Sequence, residues 1–347
     1  MKRRFSIGVM AGAILWLAAS PAMAANMELV KEAAKNKGGE VVVYDILFKP
    51  DLVTMNQAFN QAFKKYGLSA KVIRSQSGAL ANLYKQELRA GKVSMDVIAT
   101  TDPGMFLAFN RADQLTRFCS PHYKDYYEWA VGKDCGYFYH TSWLQNISYN
   151  PNLVKPGEVP TSWLDFHNPK WKGKLSIPDP KIGGGHYYFV FTIYKLFGRD
   201  WFVKARNNDV MMVQSHGTTN NKVQAGERNF GVNLSMLTRR DGPYPGGKGA
   251  PIREVTPKEG GALLAAPMAV TKNSPNTAGG KVFVEWLSSL EGQKAFTNLG
   301  KFSLRKDFTN LEGDDLKKIK YLWWDPEEMD KMREEWTRDS LRILTGQ

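Results

Sequence analysis

Between Trp171 and Tyr188 the chain reads WKGKLSIPDPKIGGGHYY, and the period of its apolar residues changes inside that stretch. Leu175 and Ile177 alternate with polar neighbours and stop at Pro178 and Pro180, the pattern of a short strand. Tyr187, Phe191, Tyr194 and Leu196 then recur at helical spacing as far as Gly198, which predicts a helix starting near Gly183–Gly185. A strand that becomes a helix through three glycines limits the fold to those that set helix starts at strand ends. Uncovered N–H groups and a positive dipole end suit an anion there. The same glycines also serve a plain tight turn, and the stretch alone does not separate the two readings.

The construction repeats along the chain. In the first half, Val41–Tyr44 is a continuous apolar strand of the type buried on both faces in parallel sheets. Leu52, Met55, Phe59, Phe63 and Tyr66 follow at helical spacing up to Gly67. A strand is expected at Lys71–Arg74, then a helix with Ser77 as N-cap, Leu80, Leu83, Tyr84 and Leu88 inside and Gly91 after it. A third strand at Asp96–Ala99 leads to a helix carrying Met105, Phe106 and Phe109. This β-α-β-α-β order belongs to a doubly wound α/β sheet. The second half offers strands at Val210–Val213 and Phe230–Leu234, with a short helix at Val223–Gly226 between them. Trp143–Tyr149 reads as a strand crossing between the halves, and Leu263–Thr271 as the strand that returns. The helix Pro275–Leu290 should cover the first sheet. Asp325, Pro326 and Glu328 start a last helix whose Met329, Met332, Trp336 and Ile343 form one apolar stripe.

Residues 1–24 have the order of a secretory signal: Lys2, Arg3 and Arg4, an apolar run from Ile7 to Ala19, then Ala22-Met23-Ala24. Its removal leaves 323 of the 347 residues, room for two domains of about 150 residues each. The formal charge of +13 falls to +10 once those three basic residues go. A basic exported chain favours anionic ligands or an anionic surface. Its Lys and Arg are dispersed, which argues against nucleic acid. Cys119 and Cys135 are the only cysteines, and in an oxidising compartment a disulfide between them is expected, worth roughly 3 kcal/mol for a loop of about 17 residues.

Ligands of such sheets bind outside the carboxyl ends of the strands. In the first half those ends are Asp45–Lys49, Ser75-Gln76-Ser77-Gly78 and Thr100-Thr101-Asp102. In the second they are Gly183–His186, Ser215–Thr218 and Asn233–Ser235. The ligand-binding candidates are therefore Ser75, Ser77, Gly78, Thr101, Asp102, Gly184, Gly185, His186, His216, Thr218, Asn233 and Ser235. For the serines, ordinary N-capping is the competing role. Arg239 could add a charge or lie on the surface, and the aromatic tract Tyr123–Trp143 is expected to be mostly core.

The order of Gly39–Tyr44, Ser75–Leu80, Asp96–Ile98, Tyr149–Val154, Val159–Trp163, Pro169–Lys174 and Ser289–Gln293 resembles the extracellular solute-binding proteins of ABC importers, over nearly all of the mature chain. The branch most similar contains binders of ferric iron and of phosphorylated or phosphonate solutes. The resemblance implies an α/β, type II periplasmic-binding-protein fold, with two doubly wound lobes joined by crossing strands. The expected division is 1–24 signal peptide, 25–102 plus 265–310 lobe 1, 103–264 lobe 2 with the crossing strands, and 311–347 a C-terminal helical tail. It further implies a periplasmic monomer that closes on a small anionic solute and docks to an ABC permease.

Ferric members of that branch use a histidine after the first strand, an acidic residue after the third and adjacent tyrosines after a later one. The matching places here hold Phe48, Thr101 and Asn233-Leu234-Ser235-Met236-Leu237. Ferric ion prefers anionic oxygen ligands, and serine and threonine hydroxyls stay neutral at pH 7. The branch's anion-holding glycine loop is kept at Gly184-Gly185-His186, so a ligand with a carboxylate, phosphate or phosphonate group is expected, with ferric iron or a ferric chelate as the alternative and no cofactor. An enzyme is disfavoured: Ser215 and His216 are neighbours without a nucleophile elbow, and the five histidines show no metal spacing. Gly242-x4-Gly247-Lys248 has Gly249 where a phosphate loop needs Ser or Thr.

Overall fold

A computed structural model describes residues 26–182, 184–297, 300–309 and 315–347. The expected leader and Gly183 lie outside the described residues. After α1 (Met27–Lys35), strand β1 (Glu40–Asp45) turns Val41, Val43 and Asp45 into the core, in the alternation of a pleated strand. There follow α2 (Lys49–Phe63), β2 (Ser69–Arg74), α3 (Ser77–Arg89), β3 (Val97–Ala99) and α4 (Pro103–Arg111). Both β2 and β3 pair parallel with β1, as a β-α-β-α-β unit requires.

After β4 (Leu115–Thr116), the long β5 (Phe138–Tyr149) carries the chain into the second half. That half holds β6 (Leu175–Pro178), α5 (Gly185–Phe197), α6 (Asp200–Asn207), β7 (Met211–Val213), α7 (His216–Gln224), β8 (Phe230–Leu234), α8 (Ser235–Asp241) and β9 (Arg253–Val255). Here β7 and β8 are parallel to β6. β10 (Gly261–Thr271) returns, antiparallel to both β3 and β5, so one sheet runs β2-β1-β3-β10-β5-β8-β6-β7 through both halves. The register of β10 against β5 shifts at Ala266/Pro267, where proline has no N–H to give to the ladder. The fully buried His140 donates from Nδ1 to the Ala266 carbonyl at 2.9 Å there.

The chain closes with α9 (Thr277–Ser288), α10 (Leu290–Phe296), β11 (Tyr321–Leu322) and α11 (Pro326–Thr345). As expected, α9 covers the first half: Asn276 caps it and donates to the carbonyls of Ala33 and Glu40. The disulfide between Cys119 and Cys135 is formed.

Phe106 and Phe109 of α4 pack with Leu80, Tyr84, Ile98 and Ala269. Some expectations need correction. Helix α7 starts at His216 instead of Val223. The last helix is more than a tail. Trp336 stacks on Tyr194 of α5 at 4.8 Å, Tyr187 donates to the Met329 carbonyl at 3.0 Å, and Arg333 pairs with Asp102 of the first half.

Candidate functional site

Three helices begin at one opening. α3, α5 and α7 each follow a parallel strand at its carboxyl end, where a short loop turns backbone N–H groups outward. Their first turns line a cleft of about 320 Å³: Ser75 to Ala79 at α3, Gly184 to His186 at α5, and Ser215 to Gly217 at α7. Every helix start leaves N–H groups without an intrahelical acceptor. At α3 the N-cap is Gln76 and at α5 it is Gly184, and neither supplies a side-chain cap. In α5 the Tyr187 N–H donates to the Gly184 carbonyl at 3.1 Å, and the N–H groups of Gly185 and His186 and of the first turn of α3 remain for a ligand. α7 is capped by Ser215, whose Oγ accepts from the Thr218 N–H at 2.9 Å.

The two walls touch at Gly184. Its φ of +54° suits glycine, and a Cβ there would stand 3.1 Å from Thr101 Oγ1 and 3.8 Å from Ser77 Oγ. Ser77 is not the N-cap expected from the sequence; its Oγ accepts from Thr100 Oγ1 at 2.6 Å.

His186 and His216 meet edge to face, with ring centroids 4.7 Å apart. His186 Nδ1–H donates to the Asp179 carbonyl at 3.1 Å, which leaves Nε2 as an acceptor in the neutral ring. Among the described residues neither ring nitrogen of His216 meets a partner at full hydrogen-bond geometry, and the Val232 and Gly185 backbone offers only weak contacts. Burial lowers the pKa of His186. For His216, burial first and the neighbouring His186 second hold it well below the ordinary histidine value, against weaker opposing pulls from the Val232 and Gly185 backbone. Both rings are neutral at pH 7.

Among the described residues of the lining, Arg74 is the one charged side chain, and no carboxylate or phenol is present. Arg74 donates to the Leu47 carbonyl at 3.1 Å and lies 5.8 Å from the centroid of Phe48, whose ring is also 5.7 Å from Arg240 of the second half. The floor is apolar, built from Trp143 of β5, Leu264 of β10, Leu234 of β8 and Met236 of α8.

Of the candidates, Ser75, Ser77, Gly78, Thr101, Gly184, Gly185, His186 and His216 line this cleft. The other four lie elsewhere. Asp102 caps α4, accepting from the Met105 N–H at 3.2 Å, and is held by Arg333. Thr218 is hydrogen-bonded to Ser215. Asn233 is buried and donates to Asn220 at 2.6 Å, which in turn donates to Asp241 at 2.7 Å. Ser235, fully buried, accepts from the Leu144 N–H at 3.1 Å and donates to the Gly300 carbonyl at 2.6 Å, fastening α8 to β5. Arg239 is paired with Glu254 at 2.6 Å and does not reach the lining.

Sequence reasoning missed Arg74, Gln76 and Gln214 as individual candidates, although each stands at a strand end where the same rule applies. Trp143 and Leu264 carried no such signal, because β5 and β10 are buried on both faces and show no alternation. A second cavity, of about 230 Å³, lies between α1, α2 and α9 and includes none of the three helix starts.

The chain belongs to the bacterial extracellular solute-binding proteins, whose family profile matches residues 49–294. It is thus a solute-binding protein. An uncharacterized protein of Haemophilus influenzae is 26% identical over 280 residues, covering 77% of this chain and 78% of that one. Iron-bound HitA from Pseudomonas aeruginosa superposes with a TM-score of 0.75 at 18% identity, over 87% of this chain and 99% of that one. AfuA from Actinobacillus pleuropneumoniae, with fructose-6-phosphate bound, also gives 0.75, at 21% identity over 88% and 99%. The fold is the type II periplasmic-binding-protein fold expected from the sequence.

Proposed function

We propose that this protein works as a periplasmic monomer that captures a small anion, bearing a phosphate, phosphonate or carboxylate group, in the cleft and presents it to an ABC permease. The observation that carries the reading is the meeting of three helix starts, two of them without side-chain caps, around a lining with one cation and no carboxylate. Positive dipole ends and open N–H groups stabilise negative charge there, and the neutral His216 adds a buried imidazole held only weakly by the Val232 and Gly185 backbone. Ser75, Ser77, Gly78, Thr101, Gly184, Gly185, His186 and His216 are the residues assigned to the anion. A solute held by both walls favours the form in which Gly184 meets Thr101, and β5 and β10 serve as the hinge. AfuA supports an anionic solute, since its structure holds fructose-6-phosphate.

Iron is the second reading, favoured by the likeness to iron-bound HitA. Against direct ligation, Phe48, Thr101, Leu234 and Met236 fill the lining, and the described residues contain no group of three His, Cys, Asp or Glu suited to a metal. A ferric chelate would bring its own oxygens.

Thermal shift against inorganic phosphate, sugar phosphates, phosphonates, carboxylic acids and ferric citrate tests the proposal. A ligand at 100 times its Kd stabilises the native state by about 2.7 kcal/mol. Stabilisation by phosphorylated or carboxylated compounds is expected; a response to ferric citrate alone, or to neutral solutes alone, overturns it.

A further inference from the structure

We infer that the solute of this cleft carries a flat apolar body behind its anionic group, and is not a polyol phosphate. This rests on the anion reading above and adds to it.

The groups suited to an anion all stand on the walls, at the starts of α3, α5 and α7. The floor comes from other elements and has a different chemistry. Trp143 and Leu264 project from the two crossing strands, Leu234 and Met236 from the end of β8 and the start of α8, and Phe48 from the loop after β1. Each hydroxyl of a polyol needs partners of its own once water is removed, and a hydroxyl set against such a floor loses hydration without replacement.

The wall side chains able to serve hydroxyls, among them Ser75, Thr101 and His186, are assigned above to the anion, and the polar groups beyond them are committed elsewhere. Asn233 and Asn220 bond one another, Asn220 also holds Asp241, and Asp102 is held by Arg333. Gln76 and Gln214 are the carboxamides left in the lining. A flat ring asks nothing of that kind. It gains dispersion contact with Trp143 and Phe48, and the one floor donor it must answer is Trp143 Nε1, buried without a partner among the described residues. The cleft volume of about 320 Å³ lies at the small end of ligand sites, which suits one ring with one anionic group.

Calorimetric titration of the full mature chain with phenyl phosphate, fructose 6-phosphate and inorganic phosphate tests this. Phenyl phosphate should bind at least tenfold tighter than fructose 6-phosphate. Phe48→Ser, at a half-buried position, should remove most of that preference, read as the ratio of the two ester affinities within the same variant. Trp143→Phe keeps a ring in the floor and should retain it. Equal affinities for the two esters, or tighter binding of fructose 6-phosphate, overturn the apolar-body inference and leave the anion reading standing. Failure of all three phosphates and of benzoate to bind overturns both.

Discussion

Arg333 donates to both carboxylate oxygens of Asp102, at 3.0 and 2.7 Å, although 231 residues separate them, and its guanidinium lies 5.1 Å from the ring centroid of Tyr187. One side chain of the last helix thereby grips both halves. Asp102 follows Thr101 of one cleft wall, and Tyr187 comes two residues after Gly185 of the other. Arg333→Ala should loosen this joint. Hydrogen bonds to charged groups contribute about 1.5–3 kcal/mol, so a fall in Tm of several degrees is expected, with a larger radius of gyration for the ligand-free protein in small-angle scattering. Arg333→Lys restores charge without the two-pronged geometry and should recover only part. Unchanged scattering in the alanine variant would show that the contact does not set the spacing of the halves.

Gly184→Ala tests the approach of the walls. Its φ is +54°, and the new Cβ would press on Thr101 Oγ1 at 3.1 Å. With ψ at −131° this is backbone that residues bearing a Cβ rarely adopt, at a cost of about 1–3 kcal/mol, and closure would add the steric conflict. Affinity for the best anion found by thermal shift should fall at least tenfold. Gly78→Ala, whose Cβ would meet nothing within 4 Å, should keep the Tm of the unaltered chain or raise it.

The neutral histidines give a pH dependence with a defined sign. Folded-state pKa values of His186 and His216 lie below the ordinary value, from burial in both cases. As pH falls the unfolded chain takes up these protons first, so the stability they contribute is present above about pH 6.5 and lost below it. A bound anion favours the protonated rings and opposes that loss. Benzenesulfonate, whose charge does not change in this range, should raise Tm more at pH 5.5 than at pH 7.5, and His186→Gln should weaken the difference. An equal shift at both pH values would rule out a role for the rings in anion binding.

Removing the disulfide through Cys119→Ser together with Cys135→Ser should lower unfolding free energy by roughly 3 kcal/mol in the chain-entropy model. Neither cysteine lines the cleft. Anion affinity should stay within about twofold when measured well below the new Tm, and a larger loss would mean that the loop shapes the site.

The sequence made the strand framework legible where short apolar runs stand between polar segments, as at Val41–Tyr44, Phe230–Leu234 and Leu263–Thr271. It was less informative for α7, whose nine residues HGTTNNKVQ include one aliphatic side chain, Val223. That helix is held by the Ser215 cap and by packing, so no periodicity announces it. β5 begins at Phe138, before the expected Trp143, because both of its faces are covered and its polar residues are as buried as its apolar ones. For the site, the strand-end rule located the loops but not the commitments of their side chains. Asn233 and Asp102 look like ligand contacts until Asn220 on the neighbouring helix and Arg333, 231 residues from Asp102, are seen to occupy them.

The position of β10 has a consequence for how the molecule comes into being. This strand lies between β3 and β5 yet is made only at residues 261–271, so a nascent chain of 200 residues lacks the piece that joins its two sheet segments. Pairings between such distant segments form slowly because loop closure must come first. Threading through a membrane in an unfolded state is therefore eased by topology itself, since folding cannot finish until most of the polypeptide has emerged.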